Sequence, residues 1–263
     1  LIIRYPDKKN AGKVDDRIVS LMDLGPTVLS LLNIKPPNHF DGKAIAGRYE
    51  QEPRKYAFGT ADRFDESTDM QRSVLDGRYV YIKNFMPELP LIYRNKYRER
   101  IPMNSKLIEM DSKEKLQGDA AYIFMKTKPV EEFYDLKFDP YEVDNLIDNP
   151  SYSSKIDQLR SELKRWQKEI DDKGFIPENE IVKSFWPNMI QPATENVTFS
   201  TNNQGKLELN SATDGASIGF QIDDKIGTEN WDLYHKPIEF NKDQKIAARA
   251  IRIGYKASEI TSN

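Results

Sequence analysis

EEFYDLKFDPYEVDNLIDNP, residues 131–150, carries the chain from a strand through a polar turn into a helix. Phe133 and Leu136 sit among charged residues as a half-buried strand would place them. Asp139-Pro140 then breaks the pattern, because proline fixes its own φ and disfavours helix at the residue before it. Asn149-Pro150 reads as a helix N-cap followed by proline in the first turn. Beyond it, Ile156, Leu159, Leu163, Trp166 and Ile170 alternate spacings of three and four, an apolar stripe on a helix over 151–173 with Gly174 at its end. The stripe is read as packing against a sheet, although its heptad spacing also suits a short coiled coil. Upstream, 55–60, 72–75 and 78–83 are candidate strands, the last two flanking Asp76-Gly77, a strong hairpin-turn signal. With 131–136 they make about four antiparallel strands.

The composition narrows the function classes. The 263 residues have room for one large or two modest domains, and 38% are hydrophobic and 31% charged. A net charge of -3 and the lack of a basic patch with interleaved aromatics argue against nucleic acid as a partner. No run is long and apolar enough for membrane insertion. The absence of cysteine excludes disulfides, zinc-thiolate sites and cysteine nucleophiles from these residues.

Residues 1–5 read as a strand. Asp23 reads as the N-cap of a helix whose Leu24, Val28, Leu31 and Leu32 share one face, expected to be buried. The 84–128 stretch is long and proline-punctuated, with a short helix expected over 111–122. Pro177, Pro187 and Pro192 mark a linker. After it, Leu207/Leu209, Ile218/Phe220/Ile222 and Ile246/Ala248/Ala250 alternate as in a small all-β sandwich. The expected class is α+β.

Glu132, Tyr134, Asp135, Leu136, Asp139, Pro140, Glu142, Asn145 and Leu146 spell E-x-Y-D-L-x-x-D-P-x-E-x-x-N-L, which resembles a signature near the C-terminal end of type I sulfatases. VSLMDLGPTVLSLLNI followed by Asp41-Gly42-Lys43 adds to the likeness, and Asn84-Phe85-Met86-Pro87 with Lys164-Arg165-Trp166 points to the heparan N-sulfatase (sulfamidase)-like branch. The resemblance covers roughly 1–172. It implies the end of an alkaline-phosphatase-like α/β domain over 1–50, then a sheet-plus-helix subdomain over 51–174. A linker at 175–192 leads to a module at 193–263 whose LNSATDGASIGFQID and KIAARAIRIGYKASEI resemble the fibronectin type III-like domain found after chitobiase-type enzymes.

That family uses a formylglycine made from a Cys or Ser in C/S-x-P-x-R, with a calcium site; the motif is absent here. The resemblance therefore implies a fragment lacking its N-terminal sulfatase domain, with no catalytic residue, metal ligand or cofactor of its own. Formylglycine and calcium are expected in that upstream part. The implied substrate is a sulfated glycosaminoglycan-type sugar, O- or N-sulfated, and the implied compartment is periplasmic or extracellular. A phosphoester hydrolase of the same superfamily and a carbohydrate-binding or surface-interaction module are the rival readings.

Within the fragment, the run Asp62-Arg63-Phe64-Asp65-Glu66-Ser67-Thr68-Asp69 with Arg72 resembles the R-x-D-E-x-x-D segment of sulfamidase-like enzymes, expected on a loop near the active-site mouth. Arg63, Asp65, Glu66, Asp69 and Arg72 are the candidate substrate-binding residues. Guanidinium forks suit sulfate or carboxylate, and carboxylates accept sugar hydroxyls. Phe85, Tyr93, Arg94 and Tyr97 are candidate walls. Asp144-Asn145 and Asp148-Asn149 mimic a metal pair, but their place in a turn and a cap points to backbone bonding. His39 and His235 are isolated in sequence. Trp231 and Tyr234 could stack on a sugar or pack in the sandwich. Asn196-Val197-Thr198 fits a glycosylation sequon, of use only in a eukaryotic secretory product.

Overall fold

The computed structural model describes residues 1–241 and 243–263, which form two compact units, Leu1–Gly174 and Phe175–Asn263. The first contains α1 (Leu24–Leu31), β1 (Ala57–Phe64), β2 (Ser67–Leu75), β3 (Tyr79–Asn84), α2 (Lys96–Glu99), α3 (Pro102–Ser112), α4 (Asp119–Tyr122), β4 (Glu131–Asp135) and α5 (Ser153–Glu169). The strands make an antiparallel sheet in the order β1-β2-β3-β4.

Alternation sends Phe58, Val74, Tyr81 and Phe133 to one face, where Phe58 pairs with Val74, Val74 with Tyr81 and Tyr81 with Phe133 across the strands. The stripe of α5 closes over this row: Ile156, Leu159 and Leu163 are buried against it, and Trp166 stacks on Phe58 with ring centroids 4.6 Å apart. Ile170 lies past the last helical turn and is exposed. The stripe is thus a helix-on-sheet seam, and the fold is α+β.

Three polar ties set the position of α5. Arg160 donates to Glu131 at 2.7 Å, and Lys155 to Asp76 of the β2–β3 turn at 3.0 Å. The third is deeper. Arg72 of β2 is only 1% exposed, and its guanidinium grips Asp172, just beyond α5, at 2.7 and 2.9 Å. It also donates to Asp62 at 2.8 Å and to its neighbour Gln71's carbonyl at 2.7 Å. A side chain at Gly174 would place its Cβ 2.0 Å from this guanidinium, so only glycine fits there without disturbing the pair.

The 131–150 turn is held by its own polar side chains. Asn145 accepts from the Phe133 amide at 3.0 Å and donates to the Glu131 carbonyl at 3.2 Å, clamping the turn to β4. Asp139 accepts from the amides of Val143 and Asp144, and Asn149 from that of Ser151. Asp135, 1% exposed, is gripped by Arg78 at 2.8 and 2.6 Å.

Several expectations are corrected. Residues 1–5 form no strand, and no strand among the described residues pairs with them. Helix α1 buries Pro26, Thr27 and Ser30, and leaves Leu24, Val28, Leu31 and Leu32 38–63% exposed. Its inner face is fixed by hydrogen bonds: Thr27 accepts from the Ile45 amide at 3.1 Å and Ser30 from that of Tyr49 at 2.8 Å. Asp23 is a buried hub rather than a simple cap, accepting from the amides of Ser20 and Lys43 and from Arg54. The helix expected over 111–122 is instead α3 followed by α4. The 62–69 run is the tip of a β1–β2 hairpin rather than a loop.

In the second unit, α6 (Glu178–Phe185) occupies the stretch read as linker. It precedes β5 (Val197–Thr201), β6 (Leu207–Ser211), β7 (Ser217–Ile222), β8 (Asp232–Leu233), β9 (Ile246–Ile251) and β10 (Thr261–Ser262). β5-β6 form one antiparallel sheet and β10-β9-β7-β8 another. Val197, Leu207 and Leu209 from the first meet Ile218, Ile246, Ala248 and Ala250 from the second in a common core. Buried Gln221 donates to the carbonyls of Thr228 and Asn230, both at 2.9 Å, pinning the β7–β8 connection.

Two outcomes test the first unit. Arg72→Ala leaves the Asp172 carboxylate buried without its cation and is expected to lower unfolding stability by about 3–5 kcal/mol in denaturant titrations. The second concerns Glu131. Burial alone would raise its pKa, but hydrogen bonds from Arg160 and Tyr81 and the charges of Arg160 and Lys83 outweigh that and hold it at about 2. A carboxyl depressed on folding contributes stability above its unfolded pKa and loses it as pH falls through the folded value. The stability difference between the parent and Glu131→Gln should therefore be full at pH 7 and shrink as pH falls from about 5 to about 2.

Candidate functional site

The β1–β2 hairpin turns through Asp65 and Glu66, with Phe64 opposite Ser67. Asp65 takes φ 56°, a left-handed conformation that aspartate tolerates better than most residues. Arg63 donates Nε to the Asp65 carbonyl at 2.9 Å, so its guanidinium lies along the turn.

The tip is joined to the N-terminus of α2. Glu66 accepts from the Lys96 amide and from Asn95 Nδ2, both at 3.1 Å, while Ser67 donates to the Arg94 carbonyl at 3.2 Å. Asn95 is only 2% exposed and caps α2, its Oδ1 accepting from the amides of Tyr97 and Arg98 at 2.9 and 3.1 Å. The amide bond from Lys96 holds the Glu66 carboxyl below its ordinary pKa.

This junction brings Phe64 and Tyr97 together, 44% and 61% exposed, with ring centroids 6.4 Å apart. The Arg98 guanidinium lies 4.7 Å from the Phe64 ring centroid. Arg94 pairs bidentately with Glu99 at 2.5 and 3.0 Å, which holds the Glu99 carboxyl low. The result is a surface of two open rings and several cations built on paired main-chain segments.

Asp69 and Arg72 lie elsewhere. β2 carries one extra residue where Asp69 and Met70 oppose Asp62, a bulge that turns Asp69 inward. Its carboxylate accepts at 2.8 Å from Lys128, whose side chain is fully buried and which also donates to the Tyr93 hydroxyl at 2.7 Å. Burial and the neighbouring Asp69 push the Tyr93 hydroxyl pKa up. Arg72 sits under the α5 seam with four hydrogen bonds made within the unit. Of the five candidate residues, the fold brings Arg63, Asp65 and Glu66 together at the tip and turns the charged ends of Asp69 and Arg72 into the body.

Among the candidate walls, Arg94 and Tyr97 join the tip surface, and Tyr93 belongs to the Lys128 cluster. Sequence reasoning missed Arg98. The signal available was Asn95 as a cap, which places Arg98 one turn into a helix facing whatever binds the cap.

His39 packs edge-on against Phe40 with centroids 5.1 Å apart. Among the described residues, no group of three or more His, Cys, Asp or Glu could hold a metal ion, and there is no cysteine. These residues do not fit the calcium or the formylglycine that the resemblance implies. In the second unit, Trp231 lies over Gly219, where an added Cβ would sit 3.2 Å from the indole, and Tyr234 packs on the sandwich core.

No family model matches the sequence. An ulvan-active sulfatase from Formosa agariphila is 37% identical over 262 residues, covering 98% of this chain and 44% of its own length. N-sulphoglucosamine sulphohydrolase from Homo sapiens is 25% identical over 187 residues, covering 65% of this chain and 37% of its own length. The solved structure of a 2-O GAG sulfatase aligns over 61% of this chain and 27% of that one, with a TM-score of 0.41 and 21% identity. The chain thus spans less than half the length of these curated relatives. By these sequence matches the chain is similar to part of a sulfatase.

Proposed function

We propose that the chain is the C-terminal part of an exported sulfatase acting on a sulfated glycosaminoglycan-type sugar, and that the β1–β2 tip with α2 forms one wall of its substrate cleft. The observation that carries this reading is the Phe64–Tyr97–Arg98 surface beside Arg63. Open aromatic faces suit the apolar face of a pyranose, and guanidinium forks suit its sulfate or carboxylate. Asp65 and Glu66 lie beside them as acceptors for sugar hydroxyls. Asp69 and Arg72 act in this reading as positioning residues, holding the hairpin from behind. The names of the relatives, one an ulvan-active sulfatase and one an N-sulphoglucosamine sulphohydrolase, support a sulfated sugar as substrate.

The nucleophile and calcium site belong in this reading to the preceding portion of the enzyme. The outward apolar stripe of α1, continued by Leu21 and Met22 of the 3-10 turn before it, 83% and 50% exposed, is the surface on which that portion would seat. The periplasm or the extracellular space is the proposed compartment. Among the described residues no helix is long and apolar enough to cross a membrane.

In the full-length enzyme, Arg98→Ala and Arg63→Ala should each raise KM for a sulfated disaccharide about tenfold, as for loss of a charge-assisted hydrogen bond, with kcat nearly unchanged. Unchanged KM in both variants would remove the tip from the cleft. This chain alone, given calcium and the same disaccharide, should release no sulfate; release would overturn the assignment of the chemistry to the preceding portion.

A further inference from the structure

The second unit contains a groove of its own. After β8 the chain leaves the four-stranded sheet, its last tie being the Tyr234 amide to the Ile218 carbonyl at 2.8 Å. Four residues later Ile238 exchanges two backbone hydrogen bonds with Leu207 of β6, both at 2.9 Å. The 234–238 segment therefore crosses between the two sheets at an open edge of the sandwich. Pro237 lies in the crossing and has no amide to leave unpaired there. The crossing leaves a groove of about 310 Å³, walled by Phe220, Leu233, Pro237 and Ile238.

Its rim is cationic. Lys206, His235 and Lys236 line it, and Glu239 is the acidic side chain among the lining residues. Glu239 pairs with Lys206 at 3.0 Å, and this bond, with the charges of Lys206 and Lys236, lowers its pKa. Two ammonium groups thus face one carboxylate. His235 Nδ1 lies 3.1 Å from the Leu233 carbonyl, which can only accept. That bond places the proton on Nδ1 and leaves Nε2 as an acceptor.

We propose that this groove binds a single anionic sugar ring, its apolar face on Phe220 and Leu233, its charged substituent on Lys236 and one of its hydroxyls donating to His235 Nε2. The volume lies at the small end of ligand sites, which suits one ring rather than a peptide or an oligonucleotide. The apolar walls disfavour a bare hydrated anion, and Lys236, whose charge remains once Lys206 is paired with Glu239, favours an anionic over a neutral sugar. The choice of a sugar as the ring rests on the function proposed above; the groove and its charge do not.

The test is titration of the ¹⁵N-labelled full chain with a uronate–N-sulfoglucosamine disaccharide, with its desulfated counterpart and with inorganic sulfate. The sulfated disaccharide should give saturable amide shifts at Gly219, Leu233, Lys236 and Ile238. Lys236→Ala, an exposed position, should weaken binding about fivefold, the value of one exposed charge pair, and His235→Ala should weaken it too. Persistence with the desulfated disaccharide would assign recognition to the carboxylate, and its loss to the sulfate; either supports an anionic sugar. Absence of groove shifts, equal binding by Lys236→Ala, or the same shifts at the same concentration with inorganic sulfate would overturn the proposal. Arg98→Ala should leave the groove shifts intact. Shifts at Phe64 and Arg98 report separately on the tip, so failure there leaves the groove result standing.

Discussion

A guanidinium removed almost completely from water must find anions or not be there, and Arg72 meets that demand with Asp172 and Asp62. The consequence is geometric more than energetic. A buried pair adds little net stability over apolar packing, but an arrangement that breaks it is strongly disfavoured. Arg72 therefore selects one seating of α5 on the sheet, ending where Asp172 and the small Gly174 can meet β2. The apolar row of Phe58, Val74, Tyr81 and Phe133 tolerates small slides of the helix; the two-toothed Arg72–Asp172 contact does not.

From that seating the hairpin tip follows. Asp62 ties β1 to the same guanidinium, and the Asp69 bulge ties β2 to Lys128 and through it to Tyr93. Both strands are thus held below the tip, and Glu66 and Ser67 join it to α2 above. A binding surface made of side chains on paired strands and a capped helix is better ordered than one on a free loop. The 131–150 turn plays the corresponding role at the other end of the sheet. Asn145, Asp139 and Asp135 are engaged with backbone amides or with Arg78, so the residues that mark the family are those that shape it.

Local pattern made much of this legible. The α5 stripe, the Asp76-Gly77 hairpin, the Asn149 cap and the alternating strands of the second unit all follow from periodicity or turn chemistry within a few residues, and the α+β class follows from them. Two misreadings have physical causes. The 62–69 run is charged enough to read as a loop, yet β1 and β2 run through it because hairpin pairing satisfies the backbone whatever the side chains are. Helix α1 has the period of a buried amphipathic helix, but Thr27 and Ser30 hold its polar side inward and its leucines face out.

By itself, then, the sequence determined the sheet hairpin, the α5 stripe, the alternating strands of the second unit and the likeness to sulfatases. Only the tertiary structure decided which charges are scaffold and which are surface. Arg63 and Arg72, or Glu66 and Asp69, are chemically alike and a few residues apart. Strand alternation and one bulge send one of each pair to the tip and the other to a buried partner from a distant part of the chain. Burial of a charge depends on those distant partners, and no local pattern records them.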